Sequence, residues 1–170
     1  DVEPPLKLWR GMNPHPMNRA QVAASYLSRD DRFEIEHIRA QGVYVVSVFE
    51  QNANHYGYFS SAQGTTDGVK ALILAKGVEQ PANTPIYFAV DFDATADQIR
   101  DRIIPYFRGV NDIMAGRHKV GAYGSGLVLS RLDAEGLVSY DWLAGAMGWQ
   151  GSRAYANAAL TEIEQENPSD

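Results

Sequence analysis

A chain of 170 residues with 45% hydrophobic and 21% charged residues carries enough apolar material for one domain with a real core, which excludes a disordered polymer. The formal net charge of −6 argues against a nucleic-acid surface, because such a surface needs clustered cations to release counterions. Cysteine is absent, so disulfides, thiolate catalysis and zinc–thiolate sites are excluded.

No apolar run approaches the ~20 residues that cross a bilayer, and no membrane span is expected. The chain begins at Asp1 rather than Met, so a removed signal peptide or a trimmed chain is expected. It reads as a single domain over 1–170, with 1–21 as an atypical N-terminal segment. In chain order, "LKLW" and "QVAASYL" are weak strand candidates, and "DRFEIEHIRAQ" is a short helix stopped by Gly42. "VYVVSVFE", Val43 to Glu50, is β-branched and aromatic and reads as a buried strand. A polar, aromatic loop, "QNANHYGYFSSAQGTT", follows, and then a helix over "DGVKALILAKGV" that ends at Gly77.

"PIYFAVDFD" is the next strand. Thr95 and Gln98 form a capping-box pattern, so a helix starts there. Its apolar residues Ile99, Ile103, Tyr106, Phe107, Val110, Ile113 and Met114 recur at helical spacing. Pro105 is expected to kink or break it. "KVGAYGS" is a strand, "LVLSRLDAEG" a helix, "DWLAGAM" a strand and "LTEIEQ" a weak strand candidate. With the weak candidates the count is about seven strands. Strand–helix alternation predicts parallel βαβ units in an α/β fold. Two architectures fit: a doubly wound open sheet, or a TIM-barrel-like (β/α) barrel, compact or incomplete because a full one takes ~250 residues.

In parallel α/β folds the sites lie at the C-terminal strand ends. Three acids fall there: Glu50, Asp91 and Asp93. If the strand runs on to Asp93, Asp91 and Asp93 share a face. Two carboxyls that close do not both ionise freely, and a protonated and an ionised carboxyl side by side suit glycoside hydrolysis. Acids at strand ends also cap helices or pair with arginine, which is the competing reading for Asp93 above all. Burying Asp91 in an apolar strand without purpose would cost several kcal/mol.

Aromatics crowd the same ends: Tyr56, Tyr58, Phe59, Tyr87, Phe92, Tyr123, Trp142 and Trp149. Most are expected in packing. Tyr123, before a Gly-Ser-Gly turn, is the leading candidate to touch a sugar or a carboxylate, with Tyr87, Trp149 and Tyr56 as further substrate-binding candidates. "YGSGL" does not fit a nucleophile elbow, and no phosphate-binding glycine motif is present. His15, His37, His55 and His118 show no ligand spacing. No metal and no cofactor is expected, although carboxylates alone could hold a hard cation. The Asn167-Pro168-Ser169 sequon is disqualified by its proline.

"SYLS", "GVYVVSVFE", "PIYFAVDFDAT", "YFRGV", "VGAYGSG", "LVLSRLDAEGLVSYDW" and "MGWQGSR" occur in this order. Over roughly 22–165 the chain resembles the glycoside-hydrolase-like family known as domain of unknown function 1906, a TIM-barrel family related to family 25 lysozymes. The resemblance implies catalytic-face roles for Asp91, Asp93 and Glu50, with Tyr123 as the aromatic of the "YGS" strand. It implies a peptidoglycan-type or other surface polysaccharide as substrate, and a secreted or cell-envelope location. The sequence departs from the family in three places. The central acids are Asp-x-Asp rather than the lysozymes' Asp-x-Glu. The N-terminus reads "LKLWRGMNPHP" without the family's "GFD" aspartate, and no "DLN"-like closing strand is legible. The leading expectation is therefore a lysozyme- or muramidase-like glycoside hydrolase; a barrel that binds glycan without cleaving it is the alternative. No nucleic-acid partner is expected, and the oligomeric state is open.

Overall fold

The computed structural model describes residues 8–10, 22–26, 40 and 44–158. Six strands form one parallel sheet: β1 (Leu8–Arg10), β2 (Val22–Tyr26), β3 (Tyr44–Phe49), β4 (Pro85–Ala89), β5 (Lys119–Gly124) and β6 (Tyr140–Leu143). Their order is β1-β6-β5-β4-β3-β2. The helices are α1 (Ser61–Gly77), α2 (Ala96–Gln98), α3 (Ile104–Met114), α4 (Gly126–Ala134) and α5 (152–158). From β2 to β6 the chain steps always in one direction. Right-handed crossovers then put the connecting helices on one face. Consecutive β1 and β2 lie at opposite edges of the sheet, and among the described residues no ladder joins them.

The two faces of the sheet differ in chemistry. Phe49 and Phe88, paired in register, face the helices; Phe88 meets the rings of Tyr106 and Phe107 on α3. Ile86, Val90, Val120 and Ala122 complete that buried layer. Alternation sends Tyr87, Tyr123 and Trp142 to the opposite face, where Trp142 stands edge-on to both tyrosines. A Cβ on Gly121 would come within 2.7 Å of the Tyr87 ring, so the glycine makes room for that aromatic layer.

Helices α1 and α3 cross very closely. A Cβ on Gly64 would strike the Tyr106 carbonyl, and one on Gly109 the Ser61 carbonyl. Both positions must be glycine for the backbones to approach this far. The capping box at Thr95 forms as read: the Gln98 N–H donates to Thr95 Oγ1 at 3.3 Å, and the Thr95 N–H to Gln98 Oε1 at 2.9 Å. Pro105 does not break the helix. The strain is absorbed by a π-helical turn, Ile99–Ile103, which lets Pro105 sit in the first turn of α3.

Several expected boundaries move. The helix expected from Asp67 starts at Ser61, because Ser60 caps it by accepting from the Gln63 N–H. The "PIYFAVDFD" strand stops at Ala89 and "DWLAGAM" at Leu143. "LKLW" and "QVAASYL" do contribute β1 and β2. "LTEIEQ", Gly42 and all of "DRFEIEHIRAQ" but Ala40 lie outside the described residues, as do His15 and His37.

Candidate functional site

The C-terminal ends of β3 to β6 carry loops that are tied to one another. The Val90 N–H still donates to the Tyr123 carbonyl at 2.8 Å, as a continuing strand would. The next residue leaves the sheet: the Asp91 N–H donates to the Ala53 carbonyl, 2.9 Å away in the loop after β3. The chain bends at Phe92, whose ring packs 5.9 Å from Phe59. The Asp93 carboxylate then accepts from the Gln150 N–H at 2.8 Å, in the loop after β6. That loop is held in turn by the Leu127 N–H on the Gln150 carbonyl and the Gly126 N–H on Ser152 Oγ. Gly126 and Gly151 meet so closely here that neither tolerates a Cβ, and Gly151 has a φ of +73°.

This geometry corrects one expectation. Asp91 and Asp93 do not follow strand alternation, because the strand has ended before them. Asp91 is half-buried beyond β4, whereas Asp93 is exposed and serves as a tether between loops. Glu50 is half-buried one residue beyond the last β3–β4 pair, Phe49 with Phe88. Neighbouring strands run ~4.8 Å apart, so Glu50 and Asp91 arise from adjacent strand ends. Among the described residues no group of three or more acids and histidines is placed to hold a metal ion.

The aromatic candidates separate by depth. Tyr87 is 1% exposed and lies in the layer under the mouth, so it supports the site and does not offer a surface to a sugar. Burial pushes its phenol well above the usual tyrosine range, with the nearby Tyr140 and Asp141 adding to the shift. Tyr123 is half-buried at the end of β5, its ring 5.7 Å from Trp142. Tyr56 is 52% exposed on a single 3₁₀ turn, Tyr56–Tyr58. Trp149 lines a groove of about 460 Å³ together with Met147, Gln150, Gly151, Arg153 and Ala154. Through Gln150 that groove abuts Asp93.

A buried polar cluster was not anticipated from sequence. Asp67 on α1 is fully buried and accepts from Tyr58 (2.6 Å), Gln63 (2.8 Å) and Tyr106 (2.9 Å). Burial, reinforced by Asp67, holds the Tyr58 and Tyr106 phenols protonated far above the ordinary range. The cluster pins the loop after Glu50 to α1 and α3. The signal was present in Ser60 and Gln63: the S-x-x-Q pattern starts the helix early and places Asp67 on the buried stripe with Gly64, Gly68, Ala71 and Ala75. A second buried acid, Asp141, accepts from the Tyr155 hydroxyl at 2.6 Å and fastens α5 to β6.

Residues 17–165 match the model of the "Rv2525c-like, glycoside hydrolase-like domain" family. The chain is 33% identical over 127 residues to FadG of Bacillus subtilis (strain 168), covering 72% of this chain and 22% of FadG. It is 31% identical over 131 residues to YbfG of the same organism, covering 72% of this chain and 18% of YbfG. It is 25% identical over 140 residues to the "Putative peptidoglycan hydrolase Rv2525c" of Mycobacterium tuberculosis, covering 77% of this chain and 55% of that protein. The chain thus spans about a fifth of the Bacillus relatives and about half of the mycobacterial one. The crystal structure of Rv2525c, a Tat-secreted protein, in complex with HEPES superposes with a TM-score of 0.63 at 21% identity. That superposition covers 76% of this chain and 68% of the other, and shares the α/β fold with its parallel sheet.

Proposed function

Given that the chain belongs to the Rv2525c-like, glycoside hydrolase-like domain family, we propose that it cleaves a peptidoglycan-type or other cell-envelope polysaccharide, with Asp91 as the central acid. The observation that carries this reading is the position of Asp91. It is the half-buried carboxylate just beyond β4, at the C-terminal mouth of a parallel sheet, with its backbone fixed by Ala53. Parallel α/β folds place their chemistry at that end.

In this mechanism Asp91 protonates the leaving glycosidic oxygen or stabilises the charge that follows. Glu50, from the neighbouring strand end, supplies the second carboxylate. Asp93 acts chiefly by holding the Gln150 loop, and with it the Trp149 groove, against the site. Tyr123 orients sugar or carboxylate, and Trp149 and Tyr56 offer faces to the glycan. The one-directional winding and the opposite placement of β1 and β2 support a compact barrel as the parent architecture, of the kind used by family 25 lysozymes. The Tat-secreted mycobacterial relative supports a substrate outside the cytoplasm.

Asp91→Asn is expected to lower release of reducing ends from purified sacculi by about 10²-fold or more, with unchanged circular dichroism. Parent-like cleavage by this variant would remove Asp91 from the mechanism. One observation favours a second reading, glycan binding without cleavage: Asp93 is committed to a loop tether and does not flank Asp91. Sacculus binding with no reducing-end release at any pH would establish that reading instead.

A further inference from the structure

The groove in the loop after β6 opens to solvent and is held from outside its own loop. Trp149, Gln150 and Arg153 line it, with Met147 adding apolar surface. The Gln150 N–H donates to Asp93 at 2.8 Å, the Leu127 N–H to the Gln150 carbonyl at 2.9 Å, and the Gly126 N–H to Ser152 Oγ at 3.1 Å. Ser152 is fully buried. Trp149 and Arg153 stand on either side of this clamped stretch, so both reach the groove from fixed backbone. A site built in advance spends less on ordering when a ligand binds.

The two side chains offer different chemistry. Trp149 is half-buried and gives the groove an aromatic surface, which suits the C–H face of a sugar ring. Arg153 is exposed, and among the described residues no carboxylate pairs with it: the ion pairs there join Arg100 to Asp97 and Asp101, and Arg108 to Glu135. A guanidinium presents a planar fork of donors that matches a carboxylate, and its bonds to an ionised acceptor are about twice as strong as those to a neutral one. The acids Glu50, Asp91 and Asp93 follow β3 and β4, and the whole chain carries a net charge of −6. An acidic glycan is repelled by such a field unless a cation receives its charge. Asp93, the acid bonded to the groove, already accepts from Gln150.

We propose that the Trp149–Arg153 groove is a specificity subsite for an acidic unit of the glycan, with Trp149 against the sugar ring and Arg153 paired with a carboxylate. This rests on the glycan reading above and adds to it a preference for charge. The carboxylate belongs either to the sugar or to a peptide attached to it. The probes are chitotetraose, which is neutral, a peptide-free peptidoglycan tetrasaccharide, which adds sugar-borne carboxylates, and the same tetrasaccharide with stem peptides. Each is titrated calorimetrically into the parent, Arg153→Gln and Trp149→Ala.

The parent is expected to bind an acidic probe about three- to tenfold more tightly than chitotetraose, between the worth of a screened surface pair and that of a charge-assisted hydrogen bond. That advantage should shrink at ~0.5 M salt. Arg153→Gln should abolish it and leave chitotetraose binding unchanged, whereas Trp149→Ala should weaken all the probes. The acidic probe that first shows the advantage identifies the source of the carboxylate. Equal parent affinity for acidic and neutral probes, an advantage that survives in Arg153→Gln, or parent-like binding by Trp149→Ala overturns the proposal alone. A parent that binds no probe overturns the glycan reading and this proposal with it.

Discussion

Asp67, Tyr58 and Tyr106 show how a single buried carboxylate shapes this domain's behaviour. Three donors converge on Asp67, and both phenols, like that of Tyr87, are held protonated well above the usual tyrosine value. In the unfolded chain these phenols release their protons near pH 10. The native state keeps them bound, so it holds more protons than the unfolded state above that pH. Stability is then fully present below about pH 10 and declines as the pH rises further. Urea denaturation between pH 8 and 11.5 should show a plateau followed by a fall, and Tyr58→Phe should make that fall shallower. A flat profile to pH 11.5 would contradict the burial of these hydroxyls. Asp91 contrasts with Asp67. It is half-buried just beyond β4, where part of its surface stays open to solvent.

At the scale of elements, the crossing of α1 and α3 is decided by backbone contact. Gly109 lies against the Ser61 carbonyl, and a Cβ there meets main chain, which cannot rotate away as a side chain can. Gly109→Ala gains ~1 kcal/mol of helix propensity but incurs an overpacking cost of about 1–3 kcal/mol, so a net loss of stability is expected. Gly77→Ala, at the open end of α1 where a Cβ meets nothing within 4 Å, should be neutral or stabilising. Parallel urea titrations of the two variants check the contrast. The helix start after Thr95 was legible because capping is local chemistry between residues three apart; the same kind of signal stands at Ser60 and Gln63, yet the sequence reading starts α1 only at Asp67. The end of β4 was not. Val90 and Asp91 have the composition of a continuing strand, and only the Ala53 carbonyl in another loop draws Asp91 out of the sheet.

For the whole molecule, the parallel sheet and its one-directional winding bring the acids that end β3 and β4 and the loop after β6 to one end. Glu50, Asp91 and Trp149 follow β3, β4 and β6, Tyr123 stands near the end of β5, and the bonds between the loops hold that end together. Strands β4 and β5 are paired on both sides and covered by helices on one face and the aromatic layer on the other. Their amides are expected to exchange slowest of all in hydrogen–deuterium exchange, with protection near the global unfolding free energy. Faster exchange in β4 than in the edge strand β2 would contradict the sheet order.

The amino-acid sequence by itself determined the α/β class, the parallel strands, the capped helices and the placing of Glu50 and Asp91 at strand ends. Each of these follows from periodicity and chemistry within a few residues. The tertiary structure decided what depends on residues far apart in the chain. Asp93 became a tether because Gln150 lies across from it, and Tyr87 sank beneath the mouth because Gly121 left space for its ring. Asp67 became a buried anchor because α3 brought Tyr106 to it. Long-range contacts are written in no local pattern, and in this domain they give Asp93 and Asp67 structural partners that no neighbouring residue announces.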